Sequence, residues 1–355
     1  LVSLLVVPLI LLAMLLLPIS QTLSPYPLQA ADALLDGLWQ WLTMLSASPV
    51  AQWSVSHLPL PLICLMTVMV ILLLLPRGMP GKWLGLLVLL PLFLYQPARP
   101  PTGQMNLALL DVGQGLAAVI ETARHTLVFD TGPRYSDRFD TGSAVVAPYL
   151  DYRGIKRIDK LVVSHGDNDH IGGVTGLKKH IPIRQIISSD PAALTGAQAC
   201  EAGQYWQWDG VRFEMLHPFP GQTGSKNNRS CVLKVTAQNL SLLMSGDIEQ
   251  ESEQRLLRDD RRALEADLLI VPHHGSRTSS SERFINAVDP DAALFAVGYR
   301  NRYGFPKPDI VERYRTQGSR ILRTDHDGAV IFRDSQPVLR WRLHAARLWT
   351  SRTTE

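Results

Sequence analysis

Cysteine is nearly missing from this chain. Three residues in 355 (Cys64, Cys200 and Cys231) and no CxxC pair exclude a disulfide-stapled scaffold and a zinc-finger framework. Charge is nearly missing from the first hundred residues, which hold only Arg77, Lys82, Arg99, Asp32 and Asp36. An excess of either sign is absent overall: the formal net charge is +3, too small for a nucleic-acid binder held by charge alone. No internal repeat and no low-complexity tract is visible, and with 46% apolar residues the chain is not disordered.

What is present falls into two textures. Leu1–Ile19 is almost unbroken apolar sequence, interrupted by Pro8 and Pro18, and lacks a signal peptide's charged start and cleavage site. The chain also begins without Met, so a fragment starting inside or just before a membrane helix is expected. Leu58–Leu75 gives 18 residues without a charge, the length of a span across a hydrocarbon core roughly 30 Å thick. Trp83–Tyr95 is shorter, interrupted by Pro91, and reads as a second span or as a re-entrant segment. Arg77 and Lys82 lie in the short loop between these runs, whereas Gln21–Pro59 holds no Lys or Arg. The positive-inside tendency then puts the short loop in the cytoplasm and everything after Gln96 outside, the periplasm in a Gram-negative-type cell. A multi-pass protein of the inner membrane is the expectation. Ala30–Leu45, with Trp39 and Trp41, has helical apolar spacing and suits either a helix in the membrane interface or one packed on other membrane helices.

Pro97–Gly103 is a linker, and from Met105 the texture becomes that of a globular domain. Short strands are expected at Asn106–Leu110, Leu116–Glu121, His125–Phe129, Leu161–Ser164, Arg184–Ser188, Val211–Leu216, Cys231–Thr236, Ser241–Met244, Leu268–Val271, Ala292–Val297, Arg320–Leu322 and Ala329–Phe332. Helices are expected at Val145–Tyr152, Glu249–Asp260, Ser280–Ala287 and Pro308–Gln317. Such interleaving suggests an α/β fold of two sheets covered by helices.

The strongest chemical signal is His165-Gly-Asp167-Asn-Asp169-His170 at the end of an apolar strand. Two imidazoles and two carboxylates in six residues are costly at a buried strand end unless something binds them, and they are the donors divalent metals take. Other strand ends repeat the theme: Asp130-Thr-Gly, Ser245-Gly-Asp247 and Pro272-His273-His274-Gly275. Four strand ends that each deliver Asp or His are what a metal cleft along one sheet edge requires.

These motifs, together with Asp111-Val-Gly-Gln-Gly115, resemble the metallo-β-lactamase fold over roughly residues 104–335 and, more narrowly, the carboxy-terminal region of the ComEC family of competence DNA-uptake channels. The resemblance implies an αβ/βα sandwich over residues 104–345, preceded by the end of a transmembrane channel domain (1–96) and the linker 97–103, with a tail at 346–355. It also implies one or two divalent ions, Mn or Zn. His165 and Asp167 would serve a first position; Asp169, His170 and a histidine of the pair would serve a second, with Asp247 bridging. His274 is favoured over His273 because it directly precedes Gly275. Asp130 would orient the ligand loop by hydrogen bonds, and Asp169 and Asp247 would be the catalytic carboxylates.

Several positions depart from the family pattern. No histidine precedes strand Cys231–Thr236, where Lys226-Asn-Asn-Arg-Ser230 stands. Asp167 shifts the donors toward oxygen, which suits Mn²⁺ or Mg²⁺. Leu116 replaces a common Asp, and Phe305 stands where relatives often have His. The expected function is DNA internalisation, with DNA as substrate, the membrane and other DNA-uptake components as partners and no small-molecule cofactor. The soluble domain would act as a metal-dependent nuclease on the non-transported strand. A silent DNA-guiding domain or a small-molecule hydrolase of the same fold are the alternatives. Ser276, Arg277 and Thr278 would hold phosphates or simply start a helix. Arg153/Lys156/Arg157/Lys160 and Arg255/Arg258/Arg261/Arg262 would contact phosphates or be solvated faces. Cys200 and Cys231 pair or stay as buried thiols, and Trp206 and Trp208 pack or stack on bases.

Overall fold

The computed structural model of the chain describes residues 2–48, 58–76, 78, 81–88, 90, 94–333 and 336–344. It divides into two compact units, Leu1–Val55 and Ser56–Glu355. The first carries α1 (Val7–Leu16) and α2 (Pro25–Ser46), packed on one another. Pro25 and Pro27 fall in the first turn of α2, where a missing N–H costs nothing. Ala30–Leu45 lies within this helix, and its Trp39 and Trp41 are exposed.

The second unit begins with α3 (Leu60–Leu74), 15 residues of the expected span. Prolines shorten it. Leu75 precedes Pro76 and is held extended, as a residue before proline is, and Pro59 is extended at the other end. At 1.5 Å per residue α3 is about 22 Å long, less than a hydrocarbon core. Among the described residues no helix is long and apolar enough to cross a membrane, so α3 does not by itself supply the expected span. The next apolar run starts as a tight turn, Lys82–Val88, folded onto α3. Gly85 makes this possible, because a side chain there would collide with Leu73 and the Met69 carbonyl. Arg77, Pro91 and the tail 346–355 lie outside the described residues.

From Asn106 the chain gives β1 (Asn106–Leu109), β2 (Ala118–Glu121), β3 (Thr126–Phe129), a hairpin of β4 (Arg134–Ser136) and β5 (Phe139–Asp140), α4 (Ala147–Tyr152), β6 (Lys160–Val163), α5 (Asn168–Ile171), α6 (Val174–His180), β7 (Ile186–Ser188) and β8 (Ala197–Ala199). It continues through β9 (Tyr205–Trp208), β10 (Val211–His217), β11 (Val232–Thr236), β12 (Ser241–Met244), α7 (Gln250–Asp259), β13 (Leu268–Ile270), α8 (Glu282–Val288) and β14 (Ala292–Phe295). Last come α9 (Pro308–Thr316), β15 (Arg320–Arg323), α10 (Thr324–Asp327), β16 (Val330–Arg333), β17 (Leu339–Arg340) and α11 (Trp341–His344).

These strands form two main sheets, ordered β17-β16-β1-β2-β3-β6-β7-β8 and β15-β14-β13-β12-β11-β10-β9. Side-chain alternation builds the layers. Leu107, Leu109, Phe129 and Val162 meet Phe213, Leu233, Met244 and Ile270 between the sheets. Neighbours on the opposite face, Ala108, Val128, Leu161 and Val163, pack on Leu150 of α4 and Leu177 of α6. Leu243, Leu269 and Phe295 pack on Leu256, Phe284 and Tyr314 of α7, α8 and α9. The result is the expected αβ/βα sandwich.

The two sheets repeat one plan. Each has an antiparallel meander (β1-β2-β3; β10-β11-β12) that turns parallel at the next strand, β6 or β13. Ligand crevices form outside the carboxyl ends of parallel strands. Here Asp130, His165, Asp247 and His273 follow β3, β6, β12 and β13 within three residues of each strand's end.

Candidate metal centre

Asp130 is the anchor. It is wholly buried in the left-handed region (φ 58°) just past β3. Its carboxylate accepts the Ser164 backbone N–H (2.6 Å) and hydroxyl (2.7 Å) and lies 2.7 Å from Nδ1 of His170. With Nδ1–H held by a carboxylate, His170 presents Nε2 to the cleft. His274 is held in the same manner, its Nδ1 donating to the Ala296 carbonyl at 2.7 Å. His273 and His274 both have positive φ (48° and 56°), a conformation costing about 1–2 kcal/mol for each non-glycine residue.

The two Nε2 atoms face each other at 3.3 Å. Each ring spends its N–H elsewhere, so two lone pairs would meet unless a proton or a cation sits between them. Carboxylates complete the ring: Asp247 is 3.2 Å from His170 Nε2 and 3.5 Å from His274 Nε2, and Asp169 is 3.4 Å from the latter. One ligand atom from each of Asp169, His170, Asp247 and His274 lies within 4.8 Å of the others. Two imidazole nitrogens and two carboxylate oxygens suit Zn²⁺, Mn²⁺ or Fe²⁺. The donor set fits a divalent ion.

Electrostatics agree with that reading. Burial opposes charge on His170, yet Asp247 and Asp130 outweigh it and hold the imidazole well above its ordinary pKa. His274 is raised for the same reason, chiefly by Asp247 against its burial. Burial alone would raise Asp247, but His170 and His274 hold it well below the usual carboxylate range. Asp169, likewise against burial, is pulled down to about 2 by His170 and His274. The two carboxylates stay ionised against protonated imidazoles, whose protons a divalent ion would displace on binding.

Asp247 is aimed by its backbone. Its N–H donates to Ser230 Oγ at 3.2 Å, and Gly246 (φ 54°) lets the turn pass close to Ser164 and Ser230, whose side chains an added Cβ would meet at 2.9 Å.

The other side of the cleft differs. His165 is buried, with Nδ1 3.1 Å from Ser164 Oγ and Nε2 3.7 Å from Asp167 and 3.9 Å from Asp247. Burial, then the charge of His170, pushes its pKa down to about 4. Asp167 is half-exposed and pairs with the Lys226 ammonium at 3.2 Å. The segment that offers no histidine thus places a cation of its own on the carboxylate.

Of the remaining sequence candidates, His273 has Nδ1 on Thr278 Oγ1 (3.0 Å) and Glu249 (3.5 Å) and Nε2 3.9 Å from Asp247, outside the four-residue cluster. Ser276 and Thr278 bond each other at 3.1 Å, and Arg277 is held by Asp309 through two 3.0 Å contacts. Ser281 caps the following helix. The first basic cluster is split: Arg153 is buried against Glu121 (2.8 and 3.0 Å) and Lys160 lies 3.8 Å from the Trp206 ring centre, whereas Lys156 and Arg157 are exposed. Trp206 and Trp208 lie on β9, and Trp206 stacks on Phe213, so both serve packing. Cys200 and Cys231 form a disulfide. Sequence reasoning missed Ser164, Ser230 and the Ala296 carbonyl. Ser164 and Ser230 each stand at a strand end beside a motif, a signal too common to single them out.

Residues 110–299 match the family model described as "Metallo-beta-lactamase superfamily". The chain is 39% identical to "Competence protein ComA" of Neisseria gonorrhoeae over 86% of its own length and 43% of that protein. It is 29% identical to "ComE operon protein 3" of Bacillus subtilis over 85% of its length and 43% of that protein. The resemblance to the competence family is thereby borne out, and the chain spans under half the length of these relatives. Among solved structures it is similar to the metallo-beta-lactamase fold protein YhfI of Bacillus subtilis, at 14% identity, 62% coverage of this chain and 95% of that one, with a TM-score of 0.42.

Proposed function

Because the chain belongs to the metallo-beta-lactamase superfamily, we propose that it hydrolyses DNA phosphodiesters with a divalent ion, Mn or Zn, degrading the non-transported strand as DNA enters the cell during natural transformation. The carrying observation is the facing Nε2 pair of His170 and His274, 3.3 Å apart and ringed by Asp169 and Asp247. Asp169, His170, Asp247 and His274 would hold the divalent ion, which when bound would supply Lewis acidity toward phosphoryl oxygens and water. The chain's own residues do the rest. Asp130 and the Ala296 carbonyl fix both rings, Asp247 lies against both imidazoles, and Asp169, the most exposed of the four, lies 3.4 Å from His274 Nε2.

DNA as substrate, a membrane channel and other uptake components as partners rest on the competence relatives. The inner membrane with this domain on its outer side is supported by the Cys200–Cys231 bond, since disulfides persist in oxidising compartments. Many exposed leucines and both tryptophans on α1–α3 suit lipid or other membrane segments.

A catalytically silent DNA-guiding domain is the second reading, favoured by Lys226 on Asp167. Cleavage of labelled single- and double-stranded DNA with Mn²⁺ or Zn²⁺ separates the two. The nuclease reading expects metal-dependent cleavage that Asp247→Asn lowers by roughly 10²–10³-fold. DNA binding without cleavage under any metal sinks it in favour of guiding.

A further inference from the structure

Between β14 and α9 runs Gly298-Tyr-Arg-Asn-Arg-Tyr-Gly-Phe-Pro-Lys307, ten residues with three aromatic rings, three cations and no carboxylate. The metal centre does not use it. Asn301 staples it into one shape, its amide donating to the Gly298 (3.0 Å) and Phe305 (2.6 Å) carbonyls and its oxygen accepting the Phe305 N–H (2.9 Å). The loop is tied to the site at both ends. Lys307 N–H donates to the Gly275 carbonyl beside His274, and Gly298 N–H donates to the Gln114 side chain. Phe305 meets the His273 ring edge-on at 5.9 Å and stacks on Tyr303 at 5.6 Å.

The exposed aromatics are concentrated here. Among the described residues from 95 to 344, seven large apolar or aromatic side chains are exposed, and Tyr299, Tyr303, Tyr135 and Phe139 are four of them. The last two lie on the β4–β5 hairpin across the Asp111–Gly115 loop, where Tyr135 Oη donates to the Val112 carbonyl. That hairpin also borders the ligand loop, through Asn168 and the Arg134 backbone. Arg300 lies over the Tyr299 ring and Arg302 over Tyr303, while Lys307 Nζ bonds the Tyr303 carbonyl. Among the described residues none of these three cations pairs with a carboxylate within 4 Å.

Rigid exposed rings alternating with unpaired cations are the chemistry that binds single-stranded nucleic acid: bases stack on the rings while phosphates meet the cations. A duplex offers the phosphates but keeps its base faces covered. Resting on the DNA reading above, we propose that Tyr299–Lys307 is a platform that holds single-stranded DNA at the metal centre, with Tyr299 and Tyr303 stacking on bases and Arg300, Arg302 and Lys307 holding phosphates.

The test is fluorescence anisotropy of a labelled oligothymidylate and of a duplex of equal length, with the full chain in EDTA so that nothing is cut. The double variant Tyr299→Ala/Tyr303→Ala is expected to lose single-strand affinity about tenfold or more, with duplex affinity changed less than about threefold. Tyr205→Ala, at an exposed tyrosine outside the loop, is expected to bind as wild type; Mn²⁺ binding by each variant verifies that the domain is folded. Unchanged single-strand binding in the double variant overturns the platform and leaves the DNA reading standing. Equal losses for both DNAs overturn the single-strand preference. A wild-type chain that binds neither DNA overturns the platform together with the reading beneath it.

Discussion

One loop builds both sides of the cleft, and the sides end in opposite states. His170 and Asp169 enter a cluster in which each imidazole has its far nitrogen pinned, by Asp130 and by the Ala296 carbonyl, so that every lone pair converges. His165 and Asp167, only a few residues earlier, do not converge. Asp167 leans outward to Lys226, and His165 keeps its nitrogens 3.7 Å or more from either carboxylate. The difference teaches that a ligand pattern in sequence fixes which donors are neighbours. Supporting hydrogen bonds, from residues far along the chain, decide which of them converge.

The largest break in this comparison is Asp247→Asn. Asp247 is the buried carboxylate that approaches both His170 (3.2 Å) and His274 (3.5 Å), and the variant removes its charge while keeping its shape. Metal-dependent DNA cleavage is expected to fall by roughly 10²–10³-fold, as when one aimed electrostatic group is lost. Single-turnover cleavage of a labelled oligonucleotide reads it directly. Asp130→Asn comes next. It leaves all four cluster residues in place but weakens the hold on His170 Nδ1, so Mn²⁺ affinity by calorimetry is expected to drop about 10–100-fold. An unchanged affinity would mean that packing alone orients the ring.

Most of this was legible in the sequence. All twelve expected strands exist, with ends moved by at most two residues, because alternating apolar runs between glycines and aspartates leave little choice. The β4–β5 hairpin, β8, β9 and β17 were not expected. They are short edge pieces with exposed or half-exposed residues, where alternation carries no burial signal. Of the expected spans, Leu58–Leu75 gives only the 15-residue α3, since hydropathy counts apolar residues while Pro59 and Pro76 end the helix. In the site, side chains that carry charge stood out, whereas Ser164, Ser230 and a backbone carbonyl did not. Lys226 was visible only as a missing histidine. Its ion pair joins residues 59 apart, which spacing cannot reveal.

Acidity should sharpen the comparison less strongly, through stability. In EDTA, His170 and His274 have raised pKa values, so the stability they contribute is complete below their ordinary value of 6.5 and is lost as pH rises through the raised values. His165 and His217, both pushed down to about 4 by burial, act in the opposite sense: the unfolded chain takes up their protons first, so stability falls from about pH 6.5 toward 4. Asp169 adds a further loss as pH falls through about 2. Thermal unfolding of the metal-free chain is therefore expected to peak near neutrality and decline by several degrees toward pH 9. Saturating Mn²⁺ should remove the alkaline decline, because the ion takes the place of the protons and binds better as they leave. A decline that persists with Mn²⁺ would place its origin outside the cluster.

The smallest expected effect is on the open side. Lys226 is half-exposed, so its pair with Asp167 contributes little stability, within about 1 kcal/mol. Its effect lies in charge: an ammonium 3.2 Å from the carboxylate competes with any second ion that His165 and Asp167 would bind. Lys226→Ala should leave thermal stability and the first equivalent of Mn²⁺ unchanged. A second, weaker equivalent should then appear in a titration, at concentrations where the wild type binds one. Lys226→His, which supplies the imidazole absent from this segment, should strengthen that second site further. If both variants still bind a single ion, geometry rather than charge keeps the open side empty, since neither removing the competing cation nor adding a donor would have made His165 and Asp167 converge.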